Sequence, residues 1–229
     1  MATTFRTDLD GVTGPAPSSP DGFVAGHWRW RPDWTEGRRC LWWYLTFENQ
    51  SELHAAVQQT NRHLSAVTAL DLVPSRWLHL TLREIGYVDE LPTTAPARAL
   101  AEALRGLSGM EHFRLSLGPM TVLPGALVLR VSPEQAVHQL RARLPGNLPT
   151  PDARDGLPAP DAVPPHVSIG YLRSDIAAHT LPTSTLSTPT VSVKVSHVTL
   201  AEVTRRNWRY EWSPRGHVSL NPGARADEA

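Results

Sequence analysis

Two short segments of the chain place a hydroxyl residue two positions after a histidine. The first is His79-Leu-Thr81-Leu, and the second is His166-Val-Ser168-Ile. Alternate side chains of a strand share a face, so each segment would present an imidazole beside a hydroxyl, with apolar residues behind. Imidazoles titrate near neutral pH, and hydroxyls donate hydrogen bonds to phosphate oxygens. Facing each other, one imidazole could activate water and the other protonate a leaving oxygen, which suits cleavage of a phosphodiester without a metal.

The pattern is short and the chain has ten histidines, so the flanking residues decide which matches matter. Two further matches are His197-Val-Thr-Leu and His217-Val-Ser-Leu. We interpret the first as part of a long alternating strand and the second as part of a polar tail, and therefore as structural. The strand of His79 ends in a glycine turn, and His166 stands between a double proline and a Gly-Tyr pair. These two are the candidate catalytic histidines.

The elements that must position them can be outlined from hydrophobic periodicity and turn residues. Helices are predicted at 51–67, 94–107 and 134–144, and a Pro-rich loop at 145–165. Strands are predicted at 41–47, 77–85, 113–117, 126–131, 167–172, 191–203 and 208–212. Helices alternate with strand pairs of the hairpin type, which favours an α+β fold with antiparallel sheets over a doubly wound parallel sheet.

Composition narrows the classes of partner. The chain has 229 residues and 41% hydrophobic residues, and its 22 basic and 22 acidic residues give a net charge of +0. Proteins that grip long nucleic acid usually carry a basic excess, so we expect a small ligand or a single RNA end, not a long duplex. The lone Cys40 fits a reducing cytoplasm. Residues 1–22 contain no secretory signal, and the apolar run at 41–47 is too short to span a membrane.

On these residues the chain resembles the two-histidine phosphoesterases, the superfamily of bacterial 2′-5′ RNA ligase and of cyclic phosphodiesterases. The resemblance is carried by the two motifs with their flanks, at 79–86 and 165–171, and extends over roughly residues 39–212. It implies a bilobal, pseudo-twofold fold in which each lobe has an antiparallel sheet and outer helices, with an active-site cleft between the lobes.

The resemblance also implies roles for individual residues. His79 and His166 would be the acid–base pair, with His79 as the acid and His166 as the base. Thr81 and Ser168 would bind the phosphate. Tyr171 matches a position that in some members contacts the phosphate or nearby substrate. The expected substrate is a 2′,3′-cyclic or 2′-5′-linked phosphodiester on a nucleotide or RNA end. We expect the reaction to need no cofactor. A monomer is the default expectation for the oligomeric state.

The expected domain organisation has three parts. Residues 1–38 form a flexible extension containing Trp28, Trp30 and Trp34, residues 39–222 form one bilobal domain, and residues 223–229 form a polar tail. The tryptophans of the extension either pack on a sheet or offer a stacking surface for a base. Trp43 and Tyr44 are further candidates for base contact, although alternation allows only one of them to face a cleft.

Other interpretations of the same residues remain open. The cleft could hold a nucleotide or RNA end without turning it over, as a binding module. The two histidines could also be unrelated structural residues. The arginines near the C-terminus predict a solvated, charged hairpin, or else a basic rim that steers phosphate into the cleft; they are Arg205, Arg206, Arg209 and Arg215.

Overall fold

The computed structural model describes residues 23–29, 33–146, 164–181 and 189–221. The α-helices of the described residues are α1 (Ser51–Leu64), α2 (Ala95–Gly106) and α3 (Glu134–Arg143), and short 3-10 helices lie at His27–Arg29, Ser75–Trp77 and Ala178–Thr180. Its strands, in chain order, are β1 (Phe23–Val24), β2 (Arg39–Thr46), β3 (Leu70–Leu72), β4 (His79–Tyr87), β5 (Phe113–Leu123), β6 (Ala126–Ser132), β7 (His166–Leu172), β8 (Ile176–Ala177), β9 (Val191–Val195), β10 (His197–Arg206) and β11 (Arg209–Ser219).

The strands form two main antiparallel sheets. One has the order β11-β10-β2-β4 and the other the order β3-β7-β6-β5-β9, while β1 and β8 pair separately. The strand that begins at His79 belongs to the first sheet and the strand that begins at His166 to the second, and β4 lies against β7 where the sheets meet. The predicted α+β class with antiparallel sheets is confirmed.

The inner strands β2 and β7 of the two sheets are buried on both faces. In β2, Leu41, Trp43 and Leu45 are fully buried, on the opposite face from Tyr44. Helix α2 packs on β11 and α3 on β4, whereas α1 packs on β3 and β9 of the second sheet. The buried residues of α1 follow the predicted three-to-four-residue spacing; they are Leu53, Ala56, Val57, Thr60 and Leu64.

The predicted strand at 191–203 is wrong in one respect, because it is two strands that belong to different sheets. The chain leaves the second sheet after Val195 and enters the first at His197. Odd-numbered valines are buried up to Val195, and from Val198 onward even-numbered residues join the buried set. The strict alternation of burial therefore ends at Ser196, where the chain crosses from one sheet to the other.

The last strand is longer than predicted, and the placement of His217 in a polar tail is wrong. Strand β11 continues to Ser219 and pairs with β10 along its whole length. It is an edge strand, so its polar residues face solvent, and its Pro214 sits next to a register shift, where a missing N–H is tolerated. Most of the predicted loop at 145–165 and the whole predicted tail at 223–229 lie outside the described residues.

Part of the predicted N-terminal extension packs on the two sheets. Trp34 is 2% exposed and its ring stacks on Trp42, with centroids 5.8 Å apart and planes within 10°. The buried guanidinium of Arg205 donates a hydrogen bond to the Trp34 carbonyl at 3.2 Å. Arg205 is therefore not part of a solvated hairpin. Trp30 lies outside the described residues.

Across the described ranges, the structure contains no helix that combines the length and the apolar character needed to cross a membrane.

Replacing Trp34 by alanine should lower the free energy of unfolding by about 3–5 kcal/mol, because a large buried ring leaves a cavity. Trp208→Ala is the matched control: Trp208 is 48% exposed, and its loss should cost less than about 1 kcal/mol. Urea denaturation of the two variants and the wild type measures both values. Equal effects at the two positions would show that the segment around Trp34 does not contribute to the folded core.

Candidate active site

The two candidate histidines make the same backbone contact. Nδ1 of His79 lies 2.7 Å from the carbonyl oxygen of Trp77, and Nδ1 of His166 lies 2.9 Å from that of Pro164. A carbonyl oxygen only accepts, so Nδ1 must carry the proton and donate it. In the neutral imidazole the basic nitrogen is then Nε2. Each ring is therefore held in the tautomer that leaves Nε2 available for proton transfer.

Strand register places Thr81 and Tyr44 on the face of His79. In the β2–β4 pair, Thr46 is opposite His79 and Tyr44 is opposite Thr81, and directly opposed residues share a face. The ring of Tyr44 stacks on the His79 imidazole, with centroids 4.1 Å apart and planes within 16°. Tyr44 is itself buried, so its ring covers one face of the His79 imidazole and fixes the plane of that imidazole.

A bulge in β7 brings Tyr171 to the face of His166 and Ser168. The register with β6 skips one residue between Ser168 and Gly170, and an extra residue reverses the alternation beyond it. Without the bulge, Tyr171 would point away from His166. With it, Tyr171 lies beside Ser168, whose side chain opposes the rise in the pKa of Tyr171 that burial causes.

The four-stranded sheet with β11 and β4 forms the first lobe, and the five-stranded sheet with β7 forms the second. Tyr210 of β11 lies where the two lobes meet. Its ring centroid is 5.3 Å from that of Tyr171, in the second lobe, and 6.5 Å from that of His79, in the first. His166 is close enough to His79 to lower its pKa. The structure thus brings both predicted histidines, their hydroxyl partners and Tyr171 to one place between the sheets.

Both imidazoles are held neutral in the free protein. Burial, with a smaller contribution from the nearby His166, lowers the pKa of His79 to about 4 against the opposing effect of the Trp77 carbonyl. Burial also lowers the pKa of His166, assisted by the positive charge of Arg141 and opposed by the Pro164 carbonyl. An anion bound between the rings would raise both pKa values, because it favours the charged form.

Sequence reasoning missed Arg141 and Tyr210. The Arg141 guanidinium, on α3, donates a hydrogen bond to the carbonyl of Thr81 at 3.0 Å, which puts a positive charge beside the site. A helical arginine among others gives no sequence signal for this. Tyr210 could have been suspected from its alternation with Trp212 in the last predicted strand.

Trp43 does not reach the site. It is 0% exposed and lies on the face of β2 opposite Tyr44, in the core beneath the sheet. The structure therefore gives no support to Trp43 as a substrate contact, and of the pair only Tyr44 faces the histidines.

The other two motif matches form a separate group. The rings of His197 and His217 lie 5.2 Å apart, edge to face. Nδ1 of His217 is 3.0 Å from the Thr199 hydroxyl, which is 3.0 Å from the Thr46 hydroxyl. Hydrogen bonds thus join His217, Thr199 and Thr46 across β11, β10 and β2, and His197 contacts this group through the ring of His217.

In the described part of the chain, no cluster of three or more His, Cys, Asp or Glu residues has the geometry to hold a metal ion.

Comparison with known proteins identifies the family and the fold. The family model of the 2′-5′ RNA ligase superfamily matches residues 50–207. Among solved structures, apo E. coli LigT superposes with a TM-score of 0.55 at 19% identity, covering 82% of this chain and 99% of LigT. TT0787 of Thermus thermophilus gives 0.55 at 19% identity, covering 79% of this chain and 97% of its own. At such identities the likeness shows the fold. No curated protein matches the chain significantly.

Replacing His79 by glutamine should reduce the loss of stability on acidification. An unfolded histidine takes up a proton near its ordinary pKa of 6.5, whereas folded His79 stays neutral down to about 4. Above pH 6.5 the two states bind equal numbers of protons. Between 6.5 and 4 the unfolded state binds more, so stability falls as pH falls. The whole difference amounts to about 3 kcal/mol.

Urea denaturation at neutral pH and near the lower end of this window measures that difference. The control is His63→Gln on the exposed surface of α1, which should keep the wild-type pH dependence. The burial argument fails if stability falls as steeply with acid in His79→Gln as in the wild type.

Proposed function

This chain belongs to the 2′-5′ RNA ligase superfamily, and on that premise we propose that it hydrolyses a 2′,3′-cyclic or 2′-5′-linked phosphodiester on a nucleotide or RNA end. Membership in the family supports phosphoesterase activity. The observation that carries the proposal further is the repeated contact of His79 and His166, in which each Nδ1 is engaged by a carbonyl two residues earlier and each Nε2 remains for chemistry.

The reaction needs one base and one acid. Nε2 of His166 takes a proton from water as the water oxygen attacks phosphorus, and Nε2 of His79 gives a proton to the departing sugar oxygen. This assignment of acid and base follows the family likeness. The negative charge of the bound phosphodiester raises the pKa of the imidazoles, which lets one of them hold the proton that the acid requires.

Hydroxyls and a nearby cation would stabilise the charge that builds on phosphate. Thr81 and Ser168 lie on the same faces as the two histidines and can donate hydrogen bonds to the non-bridging oxygens. Arg141 adds positive charge beside His166. Tyr171, which lies beside Ser168, would limit the positions that this hydroxyl can take.

A nucleotide substrate agrees with what relatives of the same fold have been crystallised with. E. coli LigT has been solved in complexes with 3′-AMP, with ATP and with NADP+. The even charge balance of this chain argues for a substrate of one or a few nucleotides, because a long nucleic acid is bound mainly through an excess of basic residues.

Hydrolysis of 2′,3′-cyclic nucleotides in the presence of a chelator tests the proposal. We expect turnover by the wild type and a loss of about 10²–10⁴-fold in His79→Ala and in His166→Ala, since each removes one proton-transfer group. His217→Ala is the matched control, because it removes a histidine from the same motif pattern on an exposed edge strand. It should keep wild-type turnover.

The outcomes separate the alternatives. Turnover that persists in both histidine variants would place the chemistry elsewhere. Wild-type protein that binds 3′-AMP but cleaves no cyclic or 2′-5′-linked substrate would identify the cleft as a binding module.

A further inference from the structure

A third histidine lies between the two lobes, and it comes from outside the part of the chain that the family model matches. Nε2 of His27 is 2.8 Å from the hydroxyl of Tyr210. On its other side the His27 ring lies against Tyr171, with centroids 4.5 Å apart. The family match spans residues 50–207, so both His27 and Tyr210 lie outside the matched residues.

The segment that carries His27 is fixed closely to the second lobe. Strand β1 pairs with β8, and the backbone N–H of Gly26 donates to the Asp175 carboxylate at 2.8 Å. Gly26 also bridges to Gly125, in the turn between β5 and β6. A Cβ atom on Gly125 would lie 2.8 Å from Cα of His27, closer than packed atoms allow. The position of His27 is therefore set by backbone contacts.

The two neighbours of His27, Tyr171 and Tyr210, each lie beside one of the two candidate catalytic histidines or its hydroxyl partner. Tyr171 lies beside Ser168 and shares a face with it and with His166. Tyr210 lies edge-on to the imidazole of His79. His27 thus contacts Tyr171 of the second lobe and Tyr210 of the first, at the point where the lobes meet.

We propose that His27 is a positioning residue of the active site, which holds Tyr171 and Tyr210 so that His79 and His166 keep the separation and orientation that the reaction requires. This inference rests on the proposed function. His27 acts through its neighbours as a neutral hydrogen-bonding ring. Burial, the positive charge of Arg205 and the nearby His166 lower its pKa to about 3, so near neutral pH it neither adds charge nor exchanges protons.

Glutamine at position 27 carries a neutral amide of similar reach and should still position Tyr171 and Tyr210, whereas the methyl group of alanine should not. With a 2′,3′-cyclic nucleotide as substrate, His27→Ala should lower kcat by about 10-fold or more while KM changes by less than about 3-fold, since misplaced catalytic groups slow the chemical step. His27→Gln can still hydrogen-bond the Tyr210 hydroxyl, and it should restore kcat to within about 3-fold of wild type. His63→Ala on the surface of α1 is the control.

A second pair of measurements keeps the inference testable if His27→Ala folds poorly. Tyr210→Phe removes the same hydrogen bond by losing one oxygen atom and should lower kcat in the same direction. The Tyr210 hydroxyl also accepts a hydrogen bond from Arg205 at 3.4 Å, but the effects of Tyr210→Phe and His27→Ala should be less than additive because the two variants share the His27–Tyr210 contact. The imidazole proton resonances of His79 and His166, assigned from their alanine variants, should shift in His27→Ala and stay unchanged in His63→Ala.

The results distinguish this inference from the proposed function. Loss of turnover in His79→Ala and His166→Ala together with wild-type kcat in His27→Ala and unchanged resonances would overturn the role of His27 and leave the proposed function standing. If the wild type hydrolyses no phosphodiester, the proposed function fails, and unchanged His79 and His166 resonances in His27→Ala would overturn the positioning role as well.

Discussion

The site depends on one kind of contact made twice, the hydrogen bond from an imidazole Nδ1 to the carbonyl two residues earlier. It fixes the tautomer, restricts rotation of the ring and directs Nε2 away from the backbone. In both cases the contact is made by a histidine that is the first residue of its strand, to a carbonyl of the segment that leads into it. His79 and His166 lie at the starts of β4 and β7. The rest of the fold holds these two strand starts against each other.

Much of this could be predicted from sequence, because period-two alternation is a local property. The pairing of His79 with Thr81 and of His166 with Ser168 needed only the pleat of a strand, and the α+β class needed only the order of elements. Alternation fails where a strand carries an extra residue. Tyr171 shares the face of Ser168 because of the bulge after Ser168, and nothing local in the sequence announces that residue. The family resemblance, which compares positions along the chain, placed Tyr171 near the substrate where alternation alone would have turned it away.

Contacts between distant segments were the part that sequence could not supply. His27 meets Tyr210 across 183 positions, and Arg141 meets Thr81 across 60. Neither contact follows from spacing, charge or periodicity, because each depends on how two lobes are packed. The aromatic residues near the N-terminus illustrate the same limit. Their abundance suggested packing or base stacking, and Trp34 proves to be buried against Trp42, whereas His27 beside them reaches the site.

The electrostatics of the site follow from how these contacts exclude water. Three imidazoles lie near one another, and burial lowers the pKa of each. Mutual repulsion of positive charges works in the same direction. Positive charge on all three rings at once is strongly disfavoured, so the free protein presents neutral hydrogen-bonding groups beside the fixed charge of Arg141. Binding of a phosphodiester changes this balance, because its negative charge favours a proton on whichever imidazole lies closest to it. The substrate would thereby create the acid that its own cleavage needs, and the buried setting makes that change larger than it would be in water.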